Sequence, residues 1–470
     1  MSYSRLGYLA IKAETSENTA VKPDVFVPLM SEDIVTEWGE TPAIPISGNR
    51  ALNIRPIDTA IPAPSGTVNV LIEPKTIGYF LKAVYGAIST GRIMTLSGSN
   101  GAFTVGETIT GGTSAKTAVV VAMSVELDYV LISTPSGAFT LGETLTGGSS
   151  AKTAALVNYD ATVYGHQFVA PQSSLPTYTV EIGYQNEAIR FTGVRFNAFN
   201  SVAQSDNIVT AAIGLVARSE FKQARITAIT TSGAGAKTLT LDQTTGLAAS
   251  DTIKLYRPGT GYLDFSAAST KTHTIGTVAT ETTITITNLE TSTAVGDLIV
   301  LAPQTPSYTV DSEFTWIGGT TVKLANTLTL ALAATADTIE DFEMMLTNEI
   351  EAKHGANGTN VVNRFPAKHF LKGLTGEGKI NRTYTDPTYL DRLRNGTATG
   401  IQVKHAGNLI GSTTFYYTLD WRTPKAIFKP FNPSLSEDDL LNQEMEYDMY
   451  YDSTSGYFHK ALLITDVTTY

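Results

Sequence analysis

Residues 101–118 read GAFTVGETITGGTSAKTA and residues 137–154 read GAFTLGETLTGGSSAKTA, with 15 of 18 positions identical at a spacing of 36. In each copy apolar residues alternate with small polar ones (Phe103, Val105, Ile109; Phe139, Leu141, Leu145). That alternation predicts short half-buried strands. The Gly-Gly pairs at 111–112 and 147–148 are expected to supply the positive φ of tight hairpin turns. Glu107 and Glu143 are solitary acids at the same point of a repeated turn, so a structural role is expected rather than catalysis or calcium binding. The copies define a small β module, residues 91–160, inserted into something larger.

A second insert is expected at 225–306. Its KTLTLDQTTGLAASDTIKLYRP, 237–258, resembles TTITITNLETSTAVGDLIVLAP, 282–303, each read as two alternating strands closed by a proline. Removing both inserts leaves 1–90, 161–224 and 307–470. GTVNVLIEPKTIGYFLKAVYG at 66–86 then aligns with GKINRTYTDPTYLDRLRNG at 378–396, bringing Gly66, Asn69 and Leu81 onto Gly378, Asn381 and Leu393. Each is a strand followed by a helix. Ile77, Phe80, Leu81 and Val84 share one helical face behind Pro74, while Asp386 suits the second N-cap, Pro387 the first helical position and Gly396 the C-terminal stop. Downstream, TYTVEIGY (177–184) is matched to TFYYTLDW (414–421), placing Tyr184 opposite Trp421 and Ile182 opposite Leu419. NIVTAAIGLVA (207–217) is matched to DLLNQEMEYDM (439–449). The fold class expected is mainly β: a duplicated unit, 1–90 with 161–224 and then 307–470, carrying one short helix per copy and two inserted β modules. A duplicated unit lets three chains build a ring with six similar positions.

Composition narrows the chemistry. The 470 residues carry a net charge of −11, no cysteine, 42% hydrophobic and 16% charged residues. Disorder, disulfide scaffolds, thiolate metal sites and cysteine nucleophiles are thereby excluded. There is no apolar run long enough to span a bilayer and no recognisable export signal in MSYSRLGYLAIKAETSEN, so a soluble chain is expected. His166, His273, His354, His369, His405 and His459 show no HxH or HExxH spacing, and the glycine-rich stretches lack a phosphate-loop Lys. No catalytic residue, metal ligand or cofactor is expected, and the acidic balance argues against gripping a phosphate backbone.

Four pieces taken in order, YLAIKAETSENTAVKPDVFVPLMSEDI, IEPKTIGYFLKAVYG, GHQFVAPQSSLPTYTVEIGY and DFEMMLTNEIEAKHG, resemble tail tube proteins of long-tailed, siphovirus-like bacteriophages. The resemblance covers about 310 residues, most of the chain outside the inserts. It implies a β-sandwich or barrel-like subunit packed against a helix, in rings that stack into the hollow tail tube through which DNA is ejected. It also implies trimeric rings of pseudo-sixfold symmetry for a duplicated fold, with hexamers as the alternative. The partners implied are further copies of the chain, a tape-measure protein in the lumen, tail terminator and distal tail proteins, and double-stranded DNA passing without specific binding. The location implied is the virion, with assembly in the host cytoplasm. The inserts depart from the family and are expected on the tube exterior.

Two stretches carry the residue-level expectations. In QEMEYDMYY, 443–451, Glu444, Glu446 and Asp448 alternate with Met445, Tyr447 and Met449, so three carboxylates share one strand face. Beside an ordinary solvated face stands the reading of a lumen wall that repels phosphate over roughly a Debye length, ~10 Å at 0.1 M salt. The proline-rich stretch 41–64 is expected to be an extended arm ordering on the adjacent ring through Ile44, Ile46, Leu52, Ile54 and Ile57, with a plain surface loop as the alternative. Two other classes stay open: a virion-surface or extracellular β-repeat adhesin binding host glycans, and a polysaccharide-degrading enzyme, which needs paired carboxylates in a cleft.

Overall fold

The computed structural model describes residues 7–36, 40–43, 55–58, 63–124, 126–170, 173–204, 207–230, 237–263, 265–266, 269–270, 272–280, 282–286, 293–308, 314, 320–325, 336–337, 339–353, 366, 368–384, 387–431 and 442–470. The fold is mainly β with two short helices, α1 (Ile77–Tyr85) and α2 (Thr388–Asn395). Two antiparallel layers face each other across one core. The first runs Leu29–Glu32, Ser65–Leu71, Thr210–Val216, Ala188–Gln204, Asp341–Lys353, Lys368–Thr383 and Asn442–Met449. The second runs Thr321–Ala325, Thr399–Leu409, Tyr416–Phe428, His459–Thr465, Thr153–Ala170 and Ile88–Ser97.

Alternation sends every second side chain inward. Val68, Val70, Ile213, Phe199, Met344, Ile380, Met445 and Tyr447 from the first layer meet Val403, Leu419, Trp421, Leu463 and Phe168 from the second in a single cluster. Phe199 and Trp421 pack with ring centroids 5.6 Å apart. The apolar face of α1 packs into this cluster against Ala188–Gln204 and Thr153–Ala170, and Gly86 stops the helix in the left-handed region at φ 86°. α2 is amphipathic but mostly exposed: Tyr389 is buried, Leu393 packs on the core edge, and Gly396 ends it at φ 61°. It begins at Thr388, one residue after Pro387, and Asp386 lies outside the described residues.

Two smaller cores stand apart from the main one. One gathers Met94, Leu96, Phe103, Ile109, Val120, Val130, Ile132, Phe139, Leu145 and Leu156; the other gathers Phe221, Ile226, Leu239, Ile253, Leu255, Ile275, Ile284 and Ile299. In the first of these modules the Gly-Gly pairs do not supply positive φ. At the turns of the repeats that conformation is found instead at Gly106 and Ala115 and, in the second copy, at Gly142 and Ala151, with Gly98, Gly101 and Leu127 adopting it elsewhere in the module. Gly111 and Gly147 serve instead as clearance. A Cβ on Gly111 would sit 2.6 Å from the Glu143 carboxylate, and one on Gly147 would sit 2.7 Å from that of Glu107.

The pairings revise one expected correspondence. Tyr178–Gly183 pairs with Tyr8–Ala13 and Ala188–Gln204, whereas Tyr416–Phe428 pairs with the strand after α2 and with His459–Thr465. Tyr184 is accordingly exposed while Trp421 is buried. The strand that returns along the post-helix strand in the first half is Thr153–Ala170. An inserted module separates it from α1 along the chain, which displaces the match made on sequence spacing.

The stretch 41–64 turns back on itself at its base. Glu40–Ala43 pairs with Arg55–Asp58 as a two-stranded ribbon, with Ile57 opposite Thr41. Ile44, Ile46, Leu52 and Ile54 lie outside the described residues.

Candidate functional surface

The strand Asn442–Met449 puts Met445, Tyr447 and Met449 in the core and leaves Glu444 and Glu446 exposed, with Asp448 half-buried. Its neighbours add Glu377 and Lys379 from Lys368–Thr383 and Glu343 from Asp341–Lys353. The face is therefore not uniformly anionic. Lys379 Nζ lies 2.9 Å from Glu444, and Lys429 Nζ lies 3.2 Å from Asp448 and 3.3 Å from Glu377. Hydrogen bonding to these carboxylates raises the pKa of both lysines. Such exposed pairs are each worth about 0–1 kcal/mol. Folding thus groups carboxylates that are far apart in sequence, but it does so on an open sheet. The depression lined by Glu343, Met345, Glu377, Lys379, Lys429 and Glu446 holds about 180 Å³, below the roughly 300–1,000 Å³ of ordinary ligand sites.

The same layer contains a second strand trio of the same build. Ser65–Leu71 leads into α1 as Lys368–Thr383 leads towards α2. Leu71 pairs with Thr210 and Ser65 with Val216; Thr383 pairs with Asn442 and Glu377 with Asp448. The sequence-matched segments therefore meet in one register over seven residue pairs. The matched residues also act alike. Asn69 Nδ2 donates to Ser31 Oγ at 2.8 Å and Asn381 Nδ2 to Asp341 Oδ2 at 3.4 Å, each reaching the strand alongside. A Cβ on Gly66 would lie 2.6 Å from Ile34 Cα; one on Gly378 would lie 2.7 Å from the Glu343 carbonyl oxygen. Leu81 is fully buried and Leu393 packs against the same core. In that shared register Ala212, Gly214 and Val216 occupy the places of Glu444, Glu446 and Asp448, and Ser65 that of Glu377.

Two buried charge clusters join the inserts to the sandwich, and neither was found by reading the sequence. Arg422 binds Asp420 (2.6 Å) beside it and Glu126 (2.9 Å) and Asp128 (2.7 Å) of the first module, while Lys460 binds Glu126 at 2.5 Å. Burial alone would raise the Glu126 pKa; Lys460 and Arg422 outweigh it and hold the carboxyl far below its ordinary range. Arg190 is held by Glu181 (2.6 Å) and by Asp251 of the second module (2.5 Å). Arg190 and Arg422 lie on the strand face opposite Phe191 and Trp421, which alternation in AIRFTGV and TLDWRTP reads as outward; the inserts cover that face, and the sequence pattern carries no signal of it.

His166 and His405 serve as packing. His166, buried, shares hydrogen bonds with Thr90 Oγ1 and the Val467 carbonyl, and His405, also buried, with Thr320 Oγ1. Desolvation pushes the pKa of each down to about 4. His354 lies outside the described residues. Among the described residues there is no cluster of three or more His, Asp or Glu able to hold a metal ion, and no helix is long and apolar enough to cross a membrane. No protein-family description matches the chain, and no curated protein matches it either.

Proposed function

We propose that the chain is a structural subunit of a bacteriophage tail tube, assembling into rings that stack around a DNA-conducting channel. The observation that carries this reading is the shared register. Two strand–helix units in one chain, paired the same way within one continuous layer, give each subunit two similar wall positions, so that three subunits supply six. The exposed side of that layer is the wall assigned to the channel. Its Glu444, Glu446 and Asp448 keep passing phosphate at a distance, with Lys379 and Lys429 moderating the charge. The tape-measure protein, tail terminator and distal tail proteins are the partners this reading brings, and the virion is the location. The proline-rich ribbon rooted at Glu40–Ala43 and Arg55–Asp58 is assigned to contact with the adjacent ring.

Negative-stain microscopy of the purified full-length chain tests the reading. Hollow tubes, or rings with three chains and six similar lobes, are the expected result. Dispersed monomers at high concentration that bind glycans would replace it with the adhesin reading.

A further inference from the structure

The inserts differ in sequence, yet their strands close in the same way. In the first, Ile88–Ser97 pairs with Tyr129–Ile132, and the circuit continues through Thr117–Met123, Thr108–Gly111, Thr144–Gly147 and Thr153–Ala170 back to Ile88–Ser97. In the second the circuit is Gln223–Thr230, Lys237–Leu241, Thr283–Ile286, His273–Thr280, Thr252–Arg257, Leu298–Leu301 and back to Gln223–Thr230. Each is a closed six-stranded antiparallel barrel around its own core.

Four turns inside these barrels share one construction: Thr104–Glu107, Thr140–Glu143, Ala248–Asp251 and Ala294–Asp297. In each, the acid accepts the amide of the turn's first residue, at 2.6, 2.8, 2.6 and 2.8 Å. The third residue has positive φ: 89° at Gly106, 82° at Gly142, 68° at Ser250 and 98° at Gly296. Its amide and the acid's carbonyl grip a single residue of another strand: Val120, Leu156, Ile275 and Ile226 respectively. The strands that follow the turns pair about a local twofold in both barrels. Ile109 faces Gly147 as Leu145 faces Gly111, and Ile253 faces Leu301 as Ile299 faces Leu255.

We infer that the two inserts are one barrel present twice and opened at different seams. The chain enters the first by Ile88–Ser97 and leaves by Thr153–Ala170; it enters the second by Gln223–Thr230 and leaves by Leu298–Leu301. Laying the circuits over one another puts the second barrel's first strand on the first barrel's last. Both seams lie between paired antiparallel neighbours, so either can be spliced into a host sheet without disturbing the circuit.

The remaining contacts of the acids follow from this relation. Each acid reaches the far end of the opposite central strand. Glu107 takes the amides of Ser149 and Ser150, and Glu143 those of Thr113 and Ser114. Asp297 takes Arg257 at 2.7 Å, at the end of Thr252–Arg257. For Asp251 that end is the exit seam, where Ala188 of the sandwich pairs with Leu301. Arg190 fills the place, at 2.5 and 2.8 Å from the Asp251 oxygens. Arg190 is therefore a positioning residue: it completes the second barrel from outside as a turn of its own completes the first.

Hydrogen exchange and thermal melting of the full-length chain test the relation. Ser250→Gly installs the residue found at the other three turns and should raise the melting temperature of the second barrel, while Gly296→Ala should lower it. Asp251→Asn should speed exchange at least tenfold in 248–251 and across the seam at 298–301, with 104–123 unchanged; Asp297→Asn should do so in 294–297 and at the end of Thr252–Arg257. A lowered melting temperature for Ser250→Gly, or unchanged exchange at the seam in Asp251→Asn, overturns the inference.

Discussion

The two halves of the exposed layer share a backbone plan and differ in the chemistry they show to solvent. Where a side chain crosses to the next strand or enters the core, the halves agree: Asn69 with Asn381, Val68 with Ile380, Leu81 with Leu393. Where it points outward they part, with Ala212, Gly214 and Val216 against Glu444, Glu446 and Asp448. The first half shows that this pairing needs no charge at those positions. The carboxylates of the second half are therefore not required by the strand pairing itself.

Acid gives the largest expected effect and asks whether both halves are held equally. His166 in one half and His405 in the other have folded pKa values of about 4, against about 6.5 unfolded. Between those limits the unfolded chain binds more protons, so stability is intact above pH 6.5 and falls as pH drops towards 4, by on the order of 3 kcal/mol per group. Glu107 responds later. Burial would raise its pKa, but donors from Ser150, Thr104 and Ser149 hold it at about 2, so its contribution is lost only between about 4.3 and 2. Denaturant melts at pH 7, 5 and 3 should show the sandwich weakening before the first barrel; the reverse order breaks the assignment of these groups.

Substituting the matched glycines comes next. Gly66→Ala and Gly378→Ala each drive a methyl group into a neighbouring strand and should each cost about 1–3 kcal/mol. A loss in one alone, measured by chemical denaturation, would show that the halves are not equivalent at this point. Asn69→Ala and Asn381→Ala remove one interstrand hydrogen bond apiece, worth about 0.5–1.5 kcal/mol, and the 2.8 Å bond of Asn69 should cost more than the 3.4 Å bond of Asn381.

The smallest effect on stability, within about 0.5 kcal/mol, belongs to the outward face. Glu444→Lys with Glu446→Lys should leave assembly intact and slow DNA release from particles, and acids placed on the other trio by Ala212→Glu with Val216→Glu should leave release unimpaired. Normal infectivity of the lysine double variant sinks the charge argument.

Much of this architecture was legible in the sequence, because the sandwich strands alternate and α1 carries its apolar residues on one face. Gly66, Asn69, Gly378 and Asn381, on which the sequence match was made, each contact a neighbouring strand. The return strand Thr153–Ala170 was mistaken for Tyr178–Gly183 because an inserted barrel interrupts the hairpin, and spacing along a chain carries no record of such a splice. The common build of the two inserts was hidden for a related reason. Their likeness lies in backbone signs and carbonyl contacts, which Ser250 can satisfy in place of glycine, and in a circuit entered at different points. Lys379 and Lys429 were missed as partners of the acidic strand because one comes from a neighbouring strand and the other from just past the end of Tyr416–Phe428, and pairing across a sheet is a long-range fact.

The reciprocal grip of Glu107 and Glu143 carries a hazard during synthesis. Each repeat is completed by the other, and at 15 of 18 positions the two are the same. A repeat on a neighbouring nascent chain offers the same amides and hydroxyls as the chain's own. Exchange between chains therefore forfeits no contact and is opposed only by the short tether of 18 residues between residues 118 and 137. The length of that tether keeps each barrel private to its own chain.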